Sequence, residues 1–216
     1  MENGKMSFTG LEVVRRDNCR LLKKTQEEFF HHLLEKIDPE GAAKSLLKNI
    51  QDLMKGRVPL ELLTISKKLA KAKYANPQIH VSLNDRIRER TPALAYKVGS
   101  RIPYVVIAGR GQLYERGEDP AYALKHFLAI DRRYYFEKQL VGPMTRLLEP
   151  LFGRKNTQVF FERAQNGAIH THFESDKQDW IPPLLGDKVE KPKTKKRKPP
   201  PQKNSMMNYF KKSKNN

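Results

Sequence analysis

The 216-residue chain carries 42 Lys and Arg against 24 Asp and Glu, a formal charge of +18, so its expected partner is an acidic polymer or surface. Its single cysteine, Cys19, excludes an intrachain disulfide and any Cys-pair zinc site. No apolar run reaches 18 residues and no signal-peptide pattern opens the chain, which sets nucleic acid ahead of an anionic membrane as partner and argues against a spanning or secreted protein. The charge is uneven, with +10 of it in residues 188–216. The length suits one domain plus a tail.

In chain order, Phe8–Cys19 brings together Gly10, the short apolar run Leu11 to Val14, the adjacent Arg15 and Arg16, and Asp17. Val13 and Val14 cannot share one face of a strand, so a strand here is expected to be covered on both sides. Arg15 and Arg16 then point opposite ways. One can pair with Asp17 or Glu12, and the other is free for an anion; a purely structural ion pair is the plain alternative.

Leu21, Leu22, Thr25, Phe29, Leu33 and Ile37 recur at three- and four-residue steps and predict a helix over Asn18–Ile37, with Asp17 as its N-cap. Asp38-Pro39 breaks it and starts a second helix to about Lys55, stopped by Gly56, giving a helical hairpin. Val58–Leu69 reads as extended. Gln78–Glu89 reads as a third helix with Ile79, Val81, Leu83 and Ile87 apolar and Arg86, Arg88 and Arg90 exposed, ended by Thr91-Pro92. Arg101–Ala108 is the strongest strand pattern, followed by a Gly109-Arg110-Gly111 turn. Asp119-Pro120 opens a short helix, and Asp131–Phe152 the longest one, with a kink expected at Pro143. Val159–Phe161 and Ala168–Phe173 read as a last hairpin about Asn166-Gly167. Residues 187–204 are rich in Lys and Pro without apolar period and should be solvated and extended.

Five of these segments carry a resemblance to one family. Phe8–Asp17 is similar to the Gly-Leu-Glu-x-Val-Arg-Arg-Asp segment of family B DNA polymerases, where the palm hands over to the thumb. Leu63–Leu69 resembles the family's Thr-Lys-x-Leu thumb element, and His80–Leu83 and Val98–Val105 resemble the next two signatures. Ile130–Leu140 resembles its Asp-x-x-Tyr-Tyr-x-x-x-Gln-Leu helix. They stand in the family's order across residues 8–153.

The resemblance implies an α+β chain: a palm-edge strand segment over residues 1–17, a mainly helical thumb with a small strand region over 18–153, a C-terminal extension of the thumb over 154–186, and a disordered basic tail over 187–216. It implies DNA-templated DNA synthesis, with this chain gripping the primer–template duplex through its backbone, independent of sequence. The expected DNA-contacting residues are Arg15, Arg16, Lys67, Lys68, Arg101 and Tyr104. The plain alternatives are a solvated pair at Lys67 and Lys68, and an Arg101 paired with Asp85 or Glu89.

The family's metal-binding palm aspartates lie upstream of the opening motif, so no catalytic residue and no metal ligand is expected in this chain. Mg²⁺ and the aspartates are expected in a large partner polypeptide. The Lys-Lys-x-Tyr element that precedes the motif in relatives is absent, and Thr9 stands where many relatives have a basic residue. The chain is expected to be the small subunit of a split archaeal-type or viral enzyme, or a C-terminal fragment of a longer one, inactive alone and working inside the cell at DNA. The absence of C-terminal Cys clusters argues for the archaeal or viral type.

His170 and His172 could face one side of a strand, but no third metal ligand stands near them in sequence. In the last residues Lys203, Met206, Tyr209 and Phe210 resemble the sliding-clamp-binding peptide, Gln-x-x-aliphatic-x-x-aromatic-aromatic, with Lys203 in the place of the Gln. One helical turn would group the three apolar side chains as a plug for a clamp pocket. Lys193–Lys198 reads as a charged spacer, a non-specific DNA arm or a nuclear localisation signal. Two rival functions remain at this stage: a stand-alone basic DNA-binding protein, and a clamp-binding adaptor without a polymerase role.

Overall fold

The computed structural model describes residues 17–71 and 73–169. They form a mostly helical body around a small antiparallel sheet, within the expected α+β class. Arg15, Arg16, His170, His172, the Lys/Pro run and the clamp-like peptide lie outside these residues.

Helix α1 (Arg20–Phe30) buries Leu21, Leu22, Thr25, Gln26, Phe29 and Phe30, the face set by three- and four-residue steps. A wide π-type turn, His31–Glu35, extends it before Asp38 caps α2 (Pro39–Met54) by accepting from the Gly41 N–H at 2.8 Å. Pro39 at the first helical position loses nothing, because that N–H has no intrahelical acceptor. Helix α2 packs on α1 and buries Ala42, Ala43, Leu46, Leu47, Ile50 and Leu53. The expected helical hairpin is present.

The N-cap expected of Asp17 is not. Cys19 holds the cap position of α1 with no side-chain cap bond, and its N–H donates to Gln139 Oε1 at 3.1 Å. Asp17 instead pairs with Arg101 at 2.9 Å. A guanidinium held across the sheet satisfies the carboxylate better than the exposed first turn of a helix would. Burial pushes the Cys19 thiol up to about 11, so it stays protonated at neutral pH.

The stretch expected to be extended from Val58 to Leu69 starts with a helical turn, α3 (Leu60–Leu63), entered from Pro59, and only then becomes β1 (Ile65–Lys68). Helix α4 (Ile79–Arg90) buries His80, Leu83, Asn84 and Ile87 rather than the apolar set Ile79, Val81, Leu83 and Ile87. Two polar side chains thus hold core positions at helical spacing. Strand β2 (Arg101–Val106) lies centrally between β1 and β3 (Gly117–Glu118), antiparallel to both. Ile65 pairs with Tyr104, Ser66 with Pro103, Lys67 with Ile102 and Lys68 with Arg101.

After α5 (Pro120–Lys125, capped by Asp119), Asp131 caps α6 (Arg132–Tyr134). The winding widens over Tyr135–Val141 and returns to α-helix in α7 (Gly142–Phe152). Phe136, Leu140, Met144, Leu148 and Phe152 are buried at every fourth position. An α-helix holds 3.6 residues per turn, so such a stripe drifts round the axis; a wider turn winds more residues per turn and opposes the drift. The widening also lies directly before Pro143, which has no N–H to return to the preceding turn.

Val159–Phe161 and the turn expected at Asn166-Gly167 lie in helix α8 (Arg154–Ile169), packed on α2 and α7, while residues 170–173 of the expected hairpin lie outside the described residues. Thr157, Phe160, Phe161 and Ala164 are its buried stripe, a helical period that outweighs the strand propensity of Val159-Phe160-Phe161. Among the described residues, no helix is long and apolar enough to cross a membrane.

Candidate nucleic-acid interface

In an antiparallel pair, directly opposed residues share a face. Ile65, Tyr104 and Ile102 turn to the core, and Lys67 shares their face, half-buried, with its Nζ 3.4 Å from Gln78 Oε1. Ser66, Pro103, Lys68 and Arg101 share the other face.

Arg101 is held by its neighbours. Its Nε donates to Ser66 Oγ at 3.2 Å, and its Nη2 donates to the Ser66 carbonyl and to Asp17 Oδ1 at 2.9 Å. Its partner is neither Asp85, which pairs with Arg88, nor Glu89. Tyr104 is 5% exposed, and burial raises its hydroxyl well above the ordinary tyrosine range. Its ring is therefore a core element, and Lys68 is the one expected cation of the sheet that stands exposed.

The structure adds cations that the sequence reading passed over. Beyond Lys68 the chain curls, with the Tyr74 hydroxyl accepting from the N–H of Ala70 at 2.8 Å and of Lys71 at 3.3 Å. Tyr74 in turn sets its ring edge-on to buried His80, 5.6 Å between centroids. Lys71 and Lys73 are exposed on this curl. The turn before β2 joins the same end of the sheet, since the Leu69 N–H donates to the Ser100 carbonyl and the Gly99 N–H to the Leu69 carbonyl, each at 2.8 Å. That turn carries exposed Lys97. Among the described residues, Lys68, Lys71, Lys73 and Lys97 have no carboxylate within ion-pair distance. Four unpaired ammonium groups around one end of a rigid sheet suit an anionic polymer. The sequence signal was their density between residues 67 and 73; only the backbone bonds bring Lys97 to them.

Carboxylates are used differently. Asp131 accepts from the Tyr134 N–H at 2.9 Å and pairs with Arg116, and Glu118 pairs with Arg90 at 2.7 Å. Arg90 also lies 3.9 Å over the Tyr122 ring, and Arg86 donates to the Gly117 carbonyl. Arg86 and Arg90 fasten α4 to β3 and α5. Asp17 and Asp131, both tied to arginines, do not fit a metal-binding pair, and no group of three or more His, Cys, Asp or Glu side chains among the described residues could hold a metal ion.

The mostly helical body on its three-stranded sheet thus carries, about one end of that sheet, a group of exposed lysines of the kind that suits an anionic polymer. The profile of DNA polymerase family B matches residues 1–151. The chain belongs to that family. It is 44% identical over 159 residues to the DNA polymerase delta catalytic subunit of Oryza sativa subsp. japonica, covering 72% of this chain and 14% of that protein. It is 40% identical over 171 residues to the Bos taurus counterpart, covering 77% and 16%. The family B DNA polymerase from the hyperthermophilic archaeon Pyrobaculum calidifontis superposes with a TM-score of 0.51 at 25% identity, over 62% of this chain and 18% of that one. The chain therefore spans about a seventh of these relatives. Both curated relatives are eukaryotic and the solved neighbour is archaeal.

Proposed function

We propose that this chain is the thumb, with a palm-edge segment, of a family B DNA polymerase, holding the primer–template duplex while a partner polypeptide supplies the catalytic aspartates and their Mg²⁺. The observation that carries the reading is the group of four unpaired lysines, 68, 71, 73 and 97, on a chain of this family. Cations without acidic partners release counterions when they meet phosphates, which drives binding that ignores base sequence. Lys68 is the direct contact among the residues expected from sequence; Lys67 and Arg101 hold the sheet end in place. Arg15 and Arg16 fasten the palm–thumb join and touch backbone phosphate. Lys203, Met206, Tyr209 and Phe210 form a clamp-binding peptide, with affinity lowered by the missing Gln. The chain works inside the cell, at DNA.

The test is duplex binding as a function of salt. Each phosphate contact contributes a slope of about 0.9 in log affinity against log salt. Replacing Lys68, Lys71, Lys73 and Lys97 together by Gln is expected to reduce the slope by roughly three to four and to lower affinity for every sequence alike. An unchanged slope would overturn the assignment of this surface.

A further inference from the structure

The loop between α4 and β2 carries two exposed aliphatic side chains, Leu94 at 67% and Val98 at 56%, on either side of Lys97. Single exposed aliphatics are ordinary. Here the backbone beneath Lys97 and Val98 is fastened at both ends, and Leu94 stands in the 3-10 turn just before it, its N–H donating to the Thr91 carbonyl at 2.9 Å. Asn84, 2% exposed, accepts from the Tyr96 N–H at 2.7 Å and donates to the Tyr96 carbonyl at 3.1 Å, gripping the loop as a neighbouring strand would. Three residues on, the Gly99 N–H and the Ser100 carbonyl bond to Leu69. Gly99 makes the turn with φ +95°, and the space a Cβ would enter there is open. Val98 and Lys97 thus stand on a fastened loop beside the other lysines, with Leu94 exposed at its entry.

We propose that Leu94 and Val98 form an apolar wedge that seats in the minor groove of the held duplex, with Lys97 directed to the flanking phosphates; the proposal rests on the duplex-gripping reading. Phosphate oxygens repel aliphatic groups, whereas the minor-groove walls are deoxyribose C–H edges that accept them, and apolar side chains commonly enter there. The minor groove is only about 6 Å wide, which suits side chains on a loop, while the major groove takes a whole helix or ribbon. Sugar edges are the same for every base pair, so the contact leaves sequence independence intact. The one group that rises from the groove floor is the guanine N2 amine.

That amine supplies the test. The full chain is titrated with two duplexes of one sequence, containing G·C pairs or inosine·C pairs, and read by fluorescence anisotropy. Inosine lacks the N2 amine, so the chain is expected to bind the inosine duplex about threefold tighter or more. Leu94→Ser/Val98→Ser should erase the preference and keep the salt slope, and Leu94→Ala/Val98→Ala should give an intermediate ratio. Lys97→Gln should lower the slope by about one and keep the preference. Circular dichroism checks that each variant is folded. A preference that survives in the serine variant, or its absence from the unaltered chain while steep salt dependence remains, overturns the wedge and leaves the duplex reading standing. Loss of association with the large catalytic polypeptide in the serine variant, with duplex binding unchanged, identifies the pair as a protein contact and also overturns it. Failure of the unaltered chain to bind duplex with steep salt dependence overturns both.

Discussion

His80 occupies a core position of α4, 1% exposed, with neither ring nitrogen hydrogen-bonded. Burial, and the nearby Lys67 ammonium, push its pKa below the ordinary histidine value, so the neutral ring is favoured. The sign follows: the unfolded chain takes up the proton first, so the stability is fully present above the ordinary value of 6.5 and is lost as pH falls through the folded-state pKa. Urea unfolding at pH 7.5 and 5.5 should show that loss, and His80→Leu should remove the part due to this residue. At pH 7.5 the same substitution should stabilise by about 1 kcal/mol, since it deletes a buried polar group that lacks a partner. A variant with the pH dependence of the parent would contradict this account. Asp131 is the opposite case, a polar residue with a partner on each carboxylate oxygen. Asp131→Ala removes both the α6 cap and the Arg116 pair and should cost roughly 2–4 kcal/mol, whereas Asp131→Asn keeps an acceptor for the Tyr134 N–H and should cost less. Thermal melting distinguishes the two, at about 2–4 °C per kcal/mol for a chain of this size.

Elements whose apolar residues follow one pattern were legible from sequence: α1, α2 and β2 stand where it puts them, and α5 where Asp119-Pro120 starts it. The misses have physical causes. Val159-Phe160-Phe161 has strand propensity, but burial of Thr157, Phe160, Phe161 and Ala164 against α2 and α7 decides for helix α8, and that packing is not local. The inner face of α4 was misread because His80 and Asn84 are polar; Asn84 belongs inside only because Tyr96, twelve residues on, offers its backbone. The candidate site was half legible. Lys67 and Lys68 lie at the sheet end where the exposed lysines meet, but Arg101 bonds to Ser66 and Asp17 and Tyr104 packs in the core, while Lys97 arrives by backbone pairing. The packing of α4 on β3 gives the element-scale prediction. A Cβ at Gly117 would fall 2.1 Å from Ile79 Cγ2, and Arg86 holds the Gly117 carbonyl. Gly117→Ala should therefore push α4 off the sheet edge and cost about 1–3 kcal/mol, read as a lower denaturation midpoint with unchanged slope. Ile79→Ala in the same chain should relieve part of that cost, a coupling that independent sites would not show.

For the whole molecule, the division of labour makes a claim no single residue can. Under the proposed function synthesis is left to a partner polypeptide; among the described residues Asp17, Glu118 and Asp131 are tied to arginines, and the chain spans about a seventh of the relatives it matches. The purified chain should incorporate no nucleotide on a primed template with Mg²⁺, while the large catalytic polypeptide from the same source should extend primers and gain affinity for the primed duplex when this chain is added. The gain should fall as salt rises, because the lysine group contributes it through counterion release, and should shrink with the four-lysine variant. Deleting residues 203–216 should leave this gain intact and remove any further stimulation by a sliding clamp, since the expected plug of Met206, Tyr209 and Phe210 lies in that segment. Primer extension by the purified chain alone would refute the division. A large polypeptide that binds and extends equally well with and without this chain would refute the grip. Clamp stimulation that survives the deletion would remove the peptide from the scheme and leave the grip untouched.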